Sequence, residues 1–196
     1  GRFYFNTMKK LSEIYKKLGI AFTFPIEIKD ENGNETYHED SNGFLGRYEY
    51  DKDGNRTYCE DSNGLWWRFE YDEKGNKTYS EKSNGNWSRW EYDRDGNETY
   101  CENSDGYWSR RKYDEKGNET YYENSDDQWS RYAYDKDSNE TYCEHSNGLW
   151  SRYEYDEDGN QTYYEDSDGY KEGTKRSSCA GKVIEIDGKK YKLLEL

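Results

Sequence analysis

The chain of 196 residues carries a formal charge of −14, is 30% hydrophobic and 18% aromatic, and holds 23 Tyr and 7 Trp. No ordinary aliphatic core can be built from that composition, and the acidic balance disfavours nucleic acid as a ligand. No apolar run is long enough to span a bilayer and no basic-then-apolar leader opens the chain, so the expectation is a soluble, cytoplasmic protein without membrane contact.

The N-terminal stretch reads as an amphipathic helix of about three turns. Thr7 is the candidate N-cap, Met8, Leu11, Tyr15 and Leu18 recur on one face with Ile14 beside them, and Lys9, Lys10, Glu13, Lys16 and Lys17 face away until Gly19 ends the run. From Ile20 to Lys29, Phe22, Phe24, Ile26 and Ile28 alternate with Ala21, Thr23 and Glu27, which predicts a half-buried strand that Pro25 places at a sheet edge.

A 21-residue unit then repeats. Gly33, Gly54, Gly75, Gly96, Gly117, Ser138 and Gly159 mark one turn of each unit, and Gly43, Gly64, Gly85, Gly106, Asp127, Gly148 and Gly169 mark a second. The first turn reads Asp-x-x-Gly-Asn or a close variant and predicts a type I turn closed by a left-handed residue. The second, Ser-Asn-Gly or Ser-Asp-Gly, predicts a two-residue type I′ hairpin. Asp127 and Ser138 replace both turn glycines of the fifth unit, which should loosen it by roughly 1 kcal/mol.

Because the repeat length is odd and strand side chains alternate with period two, one three-residue and one two-residue loop keep each column on one face. On that register Arg68 lies opposite Ser80, Phe69 opposite Tyr79, Glu70 opposite Thr78 and Trp67 opposite Glu81. One face carries the columns Trp66, Trp87, Trp108, Trp129, Trp150, then Arg47, Arg68, Arg89, Arg110, Arg131, Arg152, with Glu49, Glu70, Glu91 and Glu154 beyond. The other carries Tyr58 to Tyr163 and Tyr50 to Tyr155, each at the repeat spacing. A parallel solenoid would stack the arginines roughly 4.8 Å apart, whereas a meander separates them by roughly 9–10 Å. Charges at the first turn alternate in sign through Glu31, Lys52, Glu73 and Arg94, as either ladders between neighbouring hairpins or duplication of a two-unit ancestor would leave them.

The predicted architecture is all-β: tandem hairpin repeats in an extended antiparallel meander, single-layer or coiled, with an N-terminal capping helix and a C-terminal hairpin. Residues 1–29 form the helix and capping strand, 30–170 the seven-unit array, 171–182 a linker and 183–196 the last hairpin. In the first hairpin Phe24, Ile26 and Ile28 fill the Trp, Arg and Glu positions, an apolar patch for the helix to cover.

The recurring Tyr-Asp-x-x-Gly-Asn, as in Tyr71-Asp72-Glu73-Lys74-Gly75-Asn76 and Tyr155-Asp156-Glu157-Asp158-Gly159-Asn160, resembles the YD repeats of bacterial RHS-type proteins over about residues 30–170. Those proteins wind a long hairpin sheet into a shell around a toxin. The resemblance implies that fold and a structural role for the repeats.

Catalytic chemistry finds no constellation. His38 and His145 have no Ser or Cys partner at a triad spacing, and Asp-Lys-Asp-Gly-Asn at 51–55 lacks the oxygens and distal Glu of a calcium loop. Cys59, Cys101, Cys143 and Cys179 lack close metal-ligand pairing, and the first three lie too far apart to bond to one another. Asn-x-Thr recurs in all seven first turns, read as turn and strand chemistry rather than as glycosylation sites. The expectation is therefore a non-enzymatic scaffold without cofactor or metal. It would assemble with itself or another protein through the Trp and Arg columns and the open strand edges. A glycan-binding module using the same Trp and Tyr columns is the alternative, and an acidic nucleic-acid mimic a further one.

Overall fold

The structure, a computed structural model, describes residues 9–175 and the backbone of strands at 183–186 and 189–192. Thr7, Met8 and Cys179 lie outside the described residues. By internal contacts the chain forms two units, Gly1–Arg111 with Asn124–Asp126, and Lys112–Glu123 with Asp127–Leu196. The first holds α1 (Leu11–Leu18) and strands β1 (Ile26–Lys29), β2 (Glu35–Glu39), β3 (Leu45–Tyr50), β4 (Arg56–Asp61), β5 (Trp66–Tyr71), β6 (Lys77–Lys82), β7 (Trp87–Tyr92) and β8 (Glu98–Asn103), ending within β9 (Trp108–Tyr113). The second takes up most of β10 (Glu119–Asn124), then β11 (Trp129–Tyr134), β12 (Glu140–His145), β13 (Trp150–Tyr155), β14 (Gln161–Asp166), β15 (Lys171–Gly173), β16 (Val183–Ile186) and β17 (Lys189–Lys192). Within each unit the strands follow one another in sheet order, antiparallel, β1 to β9 in the first and β10 to β15 in the second, and β16 and β17 pair separately as the expected C-terminal hairpin.

Gly19 ends α1 in the left-handed conformation at φ 69°, where its N–H can reach the Lys16 carbonyl. The strand expected from Ile20 begins only at Ile26. Before it, Phe22 turns back to the helix, with its ring 5.8 Å from Tyr15 and 5.3 Å from Phe24. Burying that ring against α1 competes with extending the strand. Pro25 directly precedes β1, which is an edge strand as expected.

The first turns form as predicted. Gly75 at φ 85° donates to the Asp72 carbonyl, and the Asp72 carboxylate accepts the Lys74 and Asn76 amides and the Asn76 side chain. That pattern repeats at Asp30, Asp51, Asp93, Asp114, Asp135 and Asp156. The Asn side-chain amide holds the Asp30, Asp51, Asp72, Asp93 and Asp114 carboxyls below their ordinary range.

The second turns correct the expectation. A type I′ turn requires positive φ at both central residues, but in these turns only the glycine position, or Asp127 in its place, has it. Gly64 donates to the Asp61 carbonyl and Asp61 accepts from Leu65, so this loop too has three residues and the geometry of the first. With two odd loops, parity is restored by a β-bulge in each unit whose register is given. Glu70 pairs with Tyr79 but Tyr71 with Lys77, leaving Thr78 as the extra residue, and Thr57, Thr99, Thr141 and Thr162 occupy the same place. The bulged threonine caps a carbonyl across the strand pair: Thr99 reaches Glu91 at 3.2 Å, Thr141 Ala133 at 3.1 Å and Thr162 Glu154 at 3.2 Å. Asn-x-Thr is thus one structural device, Asn closing the turn and Thr serving the bulge.

The bulge shifts the paired register by one. Arg68 faces Glu81 instead of Ser80, and Phe69 faces Ser80. The Tyr58 column, expected on the opposite face, consequently shares the Trp/Arg face, since Tyr58 pairs with Arg68 and Tyr79 with Arg89. Tyrosines of the remaining column staple adjacent strands on the other side: Tyr71 donates to the Arg56 carbonyl at 3.1 Å, Tyr92 to Lys77 at 3.0 Å and Tyr134 to Glu119 at 3.0 Å.

Candidate interaction surface

Each repeat builds the Trp/Arg face from two strands. Position one of β5, β7, β9, β11 and β13 presents Trp66, Trp87, Trp108, Trp129 and Trp150, all half-buried, and two residues on stand the exposed Arg68, Arg89, Arg110, Arg131 and Arg152. Across one turn the Arg meets Glu. Arg68 pairs with Glu81 and Arg89 with Glu102, each at 2.6 Å, and Arg131 approaches Glu144 at 4.0 Å. Diagonally on the same partner strand it meets Tyr, with the Arg68 guanidinium 6.0 Å from the Tyr79 ring and Arg89 5.6 Å from Tyr100, while across the other turn Arg68 and Arg89 stand in register with Tyr58 and Tyr79. The Trp rings join the same lattice: Tyr58 stacks on Trp66 at 6.4 Å, Arg110 lies 5.8 Å over Trp108 and Arg131 4.8 Å over Trp129.

Tyrosine and glutamate two residues apart form a second recurring pair. Tyr58, Tyr121 and Tyr163 donate to Glu60, Glu123 and Glu165 at 3.3, 2.9 and 3.0 Å. Burial, with the nearby Glu60 charge, pushes the Tyr58 phenol up to about 12. The face therefore keeps alternating charge in hydrogen-bonded register.

The first unit uses this face differently. Ile26 and Leu45 stand where later units have Arg and Trp, and with Tyr37 they form a buried cluster covered by Leu11, Tyr15 and Phe22. Glu39, 1% exposed, accepts the Ser12 amide at 3.0 Å, the Ser12 hydroxyl and the Tyr37 hydroxyl at 2.8 Å. Tyr37 in turn accepts the Leu11 amide at 2.9 Å. The Tyr–Glu pair thus caps the N-terminal turn of α1, whose Lys10 N-cap makes no side-chain cap of its own.

The opposite face is held by local packing. Arg56 lies between the Tyr48 and Phe69 rings at 5.9 and 5.7 Å, Lys77 lies 4.7 Å from Phe69, and Arg111 pairs with Glu98. Cys59 and Cys143 are buried free thiols, pushed up by burial, and Cys101 lies 3.1 Å from Ser109. The turn-tip charges form two patterns. Lys52 and Lys136 pair with their neighbours Asp53 and Asp137, while Lys74 and Lys116 reach the Arg94 and Lys136 carbonyls of the next unit.

Two polar groupings escaped the sequence reading because strand pairing creates them. His145 Nδ1 lies 2.8 Å from Ser130 Oγ, at a cross-strand position filled by Ser88 with Asn103 and Ser151 with Asp166 elsewhere. The pair thus occupies a recurring polar position of the register. Glu27, Glu35 and His38 bring one ligand atom each within 4.8 Å of one another at the β1–β2 edge, with His38 and Glu35 3.6 Å apart.

No family model matches the chain, and no curated protein matches it. Among solved structures it is similar to the Photorhabdus luminescens Tc holotoxin pore, at 17% identity over 74% of this chain and 9% of that one with a TM-score of 0.51. The TcdB2-TccC3-Cdc42 crystal structure matches at 16% identity over 84% of this chain and 10% of that one, with a TM-score of 0.52. TcdB2-TccC3 without its hypervariable C-terminal region matches at 15% identity, with the same coverages and TM-score. The sheet is YD-repeat-like. The chain spans about a tenth of the length of these structures, and the likeness is one of fold. In the YD-repeat-like sheet the Tyr of the motif staples adjacent strands, and its Asp and Asn close the turn.

Proposed function

We propose that the chain is a non-enzymatic repeat scaffold that acts by self-assembly or protein–protein contact through its Trp/Arg/Tyr face and open strand edges. The observation that carries this reading is the recurrence of one exposed lattice, Arg paired to Glu and set against Tyr or Trp, in successive units. Tyr, Trp and Arg are the side chains most often found at the energetic centres of protein interfaces. The lattice is held by the sheet itself, so a partner meets a surface already ordered. Similarity in fold to Tc toxin chains supports a structural role. Sedimentation velocity over a wide concentration range tests the self-assembly arm: large species that vanish in Trp108→Ala/Trp129→Ala support association through this face. A monomer at every concentration refutes self-assembly.

A further inference from the structure

One part of the Trp/Arg face differs from the rest in a way that names a partner. Beside α1, a cleft of about 850 Å³ is lined by Leu11 and Ile14 of the helix, Ile28 of β1, Arg47 of β3 and Tyr58 and Glu60 of β4. Tyr58 and Glu60 are the second unit's copies of Tyr37 and Glu39, the two residues that cap α1, and Tyr58 donates to Glu60 as Tyr37 does to Glu39. In units further on, Arg68 and Arg89 close the corresponding carboxylates by ion pairs. Arg47 stands in register with Glu60, yet among the described residues it makes no ion pair. We propose that Tyr58 and Glu60 form a vacant copy of the α1 seat, which receives the first turn of a short amphipathic helix supplied by a second polypeptide.

The occupant's chemistry follows from α1 itself. Its first two free N–H groups would go to the Tyr58 hydroxyl and the Glu60 carboxylate, as Leu11 and Ser12 go to Tyr37 and Glu39. An apolar stripe would cover Ile14 and the 42% exposed Ile28, extending the hydrophobic layer that α1 begins. An acidic residue in the first turn, where α1 has Glu13, would face Arg47, and basic residues would fall in the last turn where α1 has Lys16 and Lys17. The Glu60 carboxylate complements the positive end of such a helix. This deepens the scaffold reading by giving that face a partner class, and it rests on that reading for the existence of a partner.

The probe is an N-acetylated peptide of residues 8–19, titrated calorimetrically into the full chain. One saturable site is expected. Glu60→Ala and Tyr58→Phe should each weaken it by about tenfold, as loss of a charge-assisted or buried hydrogen bond does, while Glu157→Ala, at an exposed turn tip away from this face, leaves it unchanged. Near-UV circular dichroism of each variant checks that the sheet is intact, and the conservative Tyr58→Phe keeps the test decisive should Glu60→Ala distort β4. Absence of saturable binding overturns the proposal. So does binding that survives both variants but is abolished by Glu39→Ala, which would mean exchange into the α1 seat. Sedimentation separates the two readings: a chain that self-associates without binding the peptide loses the vacant seat and keeps the scaffold role.

Discussion

Replacing Glu39 by Ala should detach α1 while leaving the repeats in place. The carboxylate is almost fully buried and accepts the Ser12 amide, the Ser12 hydroxyl and the Tyr37 hydroxyl. Hydrogen bonds to a charged group contribute roughly 1.5–3 kcal/mol each, and two of the three donors would be left under the helix without this acceptor. Allowing for water entering the gap, the loss is about 3 kcal/mol of docking free energy. The eight residues of α1 fall well short of the roughly 12–15 at which isolated helices become even marginal, so undocking and unwinding are one event. Amide hydrogen exchange resolves it: protection of Leu11–Leu18 should fall by about two orders of magnitude, with strands from β5 onward unchanged. The same carboxylate fixes a pH limit. Burial alone would raise its pKa, but the Ser12 hydroxyl and amide and the Tyr37 hydroxyl outweigh it and bring Glu39 below its ordinary value of 4.5. Its contribution is therefore fully present above that value and is lost as pH falls through the lowered folded pKa. Full protection of α1 in Glu39→Ala, or an undocking transition above pH 4.5, would refute the assignment.

Asp127 and Ser138 hold the left-handed conformation at φ 58° and 68° that glycine takes in other units. Asp127→Gly should stabilise the fifth unit by about 0.5–1 kcal/mol, and Ser138→Gly by less because it removes the Asn118 amide bond to Ser138 at 3.1 Å; urea unfolding measures both, and wild-type hydrogen exchange as slow here as in neighbouring units would contradict the strain. Thr141→Val keeps the β-branch but deletes the bulge hydroxyl bonded to Ala133, so it should cost about 0.5–1.5 kcal/mol and speed exchange at the β11–β12 pair, whereas an unchanged unfolding midpoint would show that the bulge needs no cap.

The meander, its turn positions and the helix stop at Gly19 were legible because each rests on local chemistry: turn glycines, Asp with Asn four residues on, and an apolar stripe of period 3.6. The register was not. Parity required that something offset two turns in an odd repeat, and the sequence offered a two-residue Asn-Gly loop as readily as a bulge. The decision belongs to Thr78 and its equivalents, which resemble ordinary strand residues and reveal the bulge only through a carbonyl on the neighbouring strand. Moving that one residue out of register put Tyr58 beside Arg68 and Arg68 opposite Glu81, and so created the lattice on the Trp/Arg face.

The same shift explains why the helix docks only at the first unit. In the bulged register Glu60, Glu81, Glu102 and Glu144 each have an Arg across one turn and a Trp across the other. Ile26 in place of that Arg leaves Glu39 without a cation from the sheet, and Leu45 in place of Trp clears a shallow apolar floor. A buried carboxylate without a partner is costly, which makes the N–H groups of α1 the groups that satisfy it. Two substitutions thus convert a self-satisfied lattice position into a helix seat. At the next position Trp66 keeps its lattice place opposite Glu60, but Arg47, in register with Glu60 without an ion pair among the described residues, leaves the carboxylate open to a donor from outside, intermediate between those states.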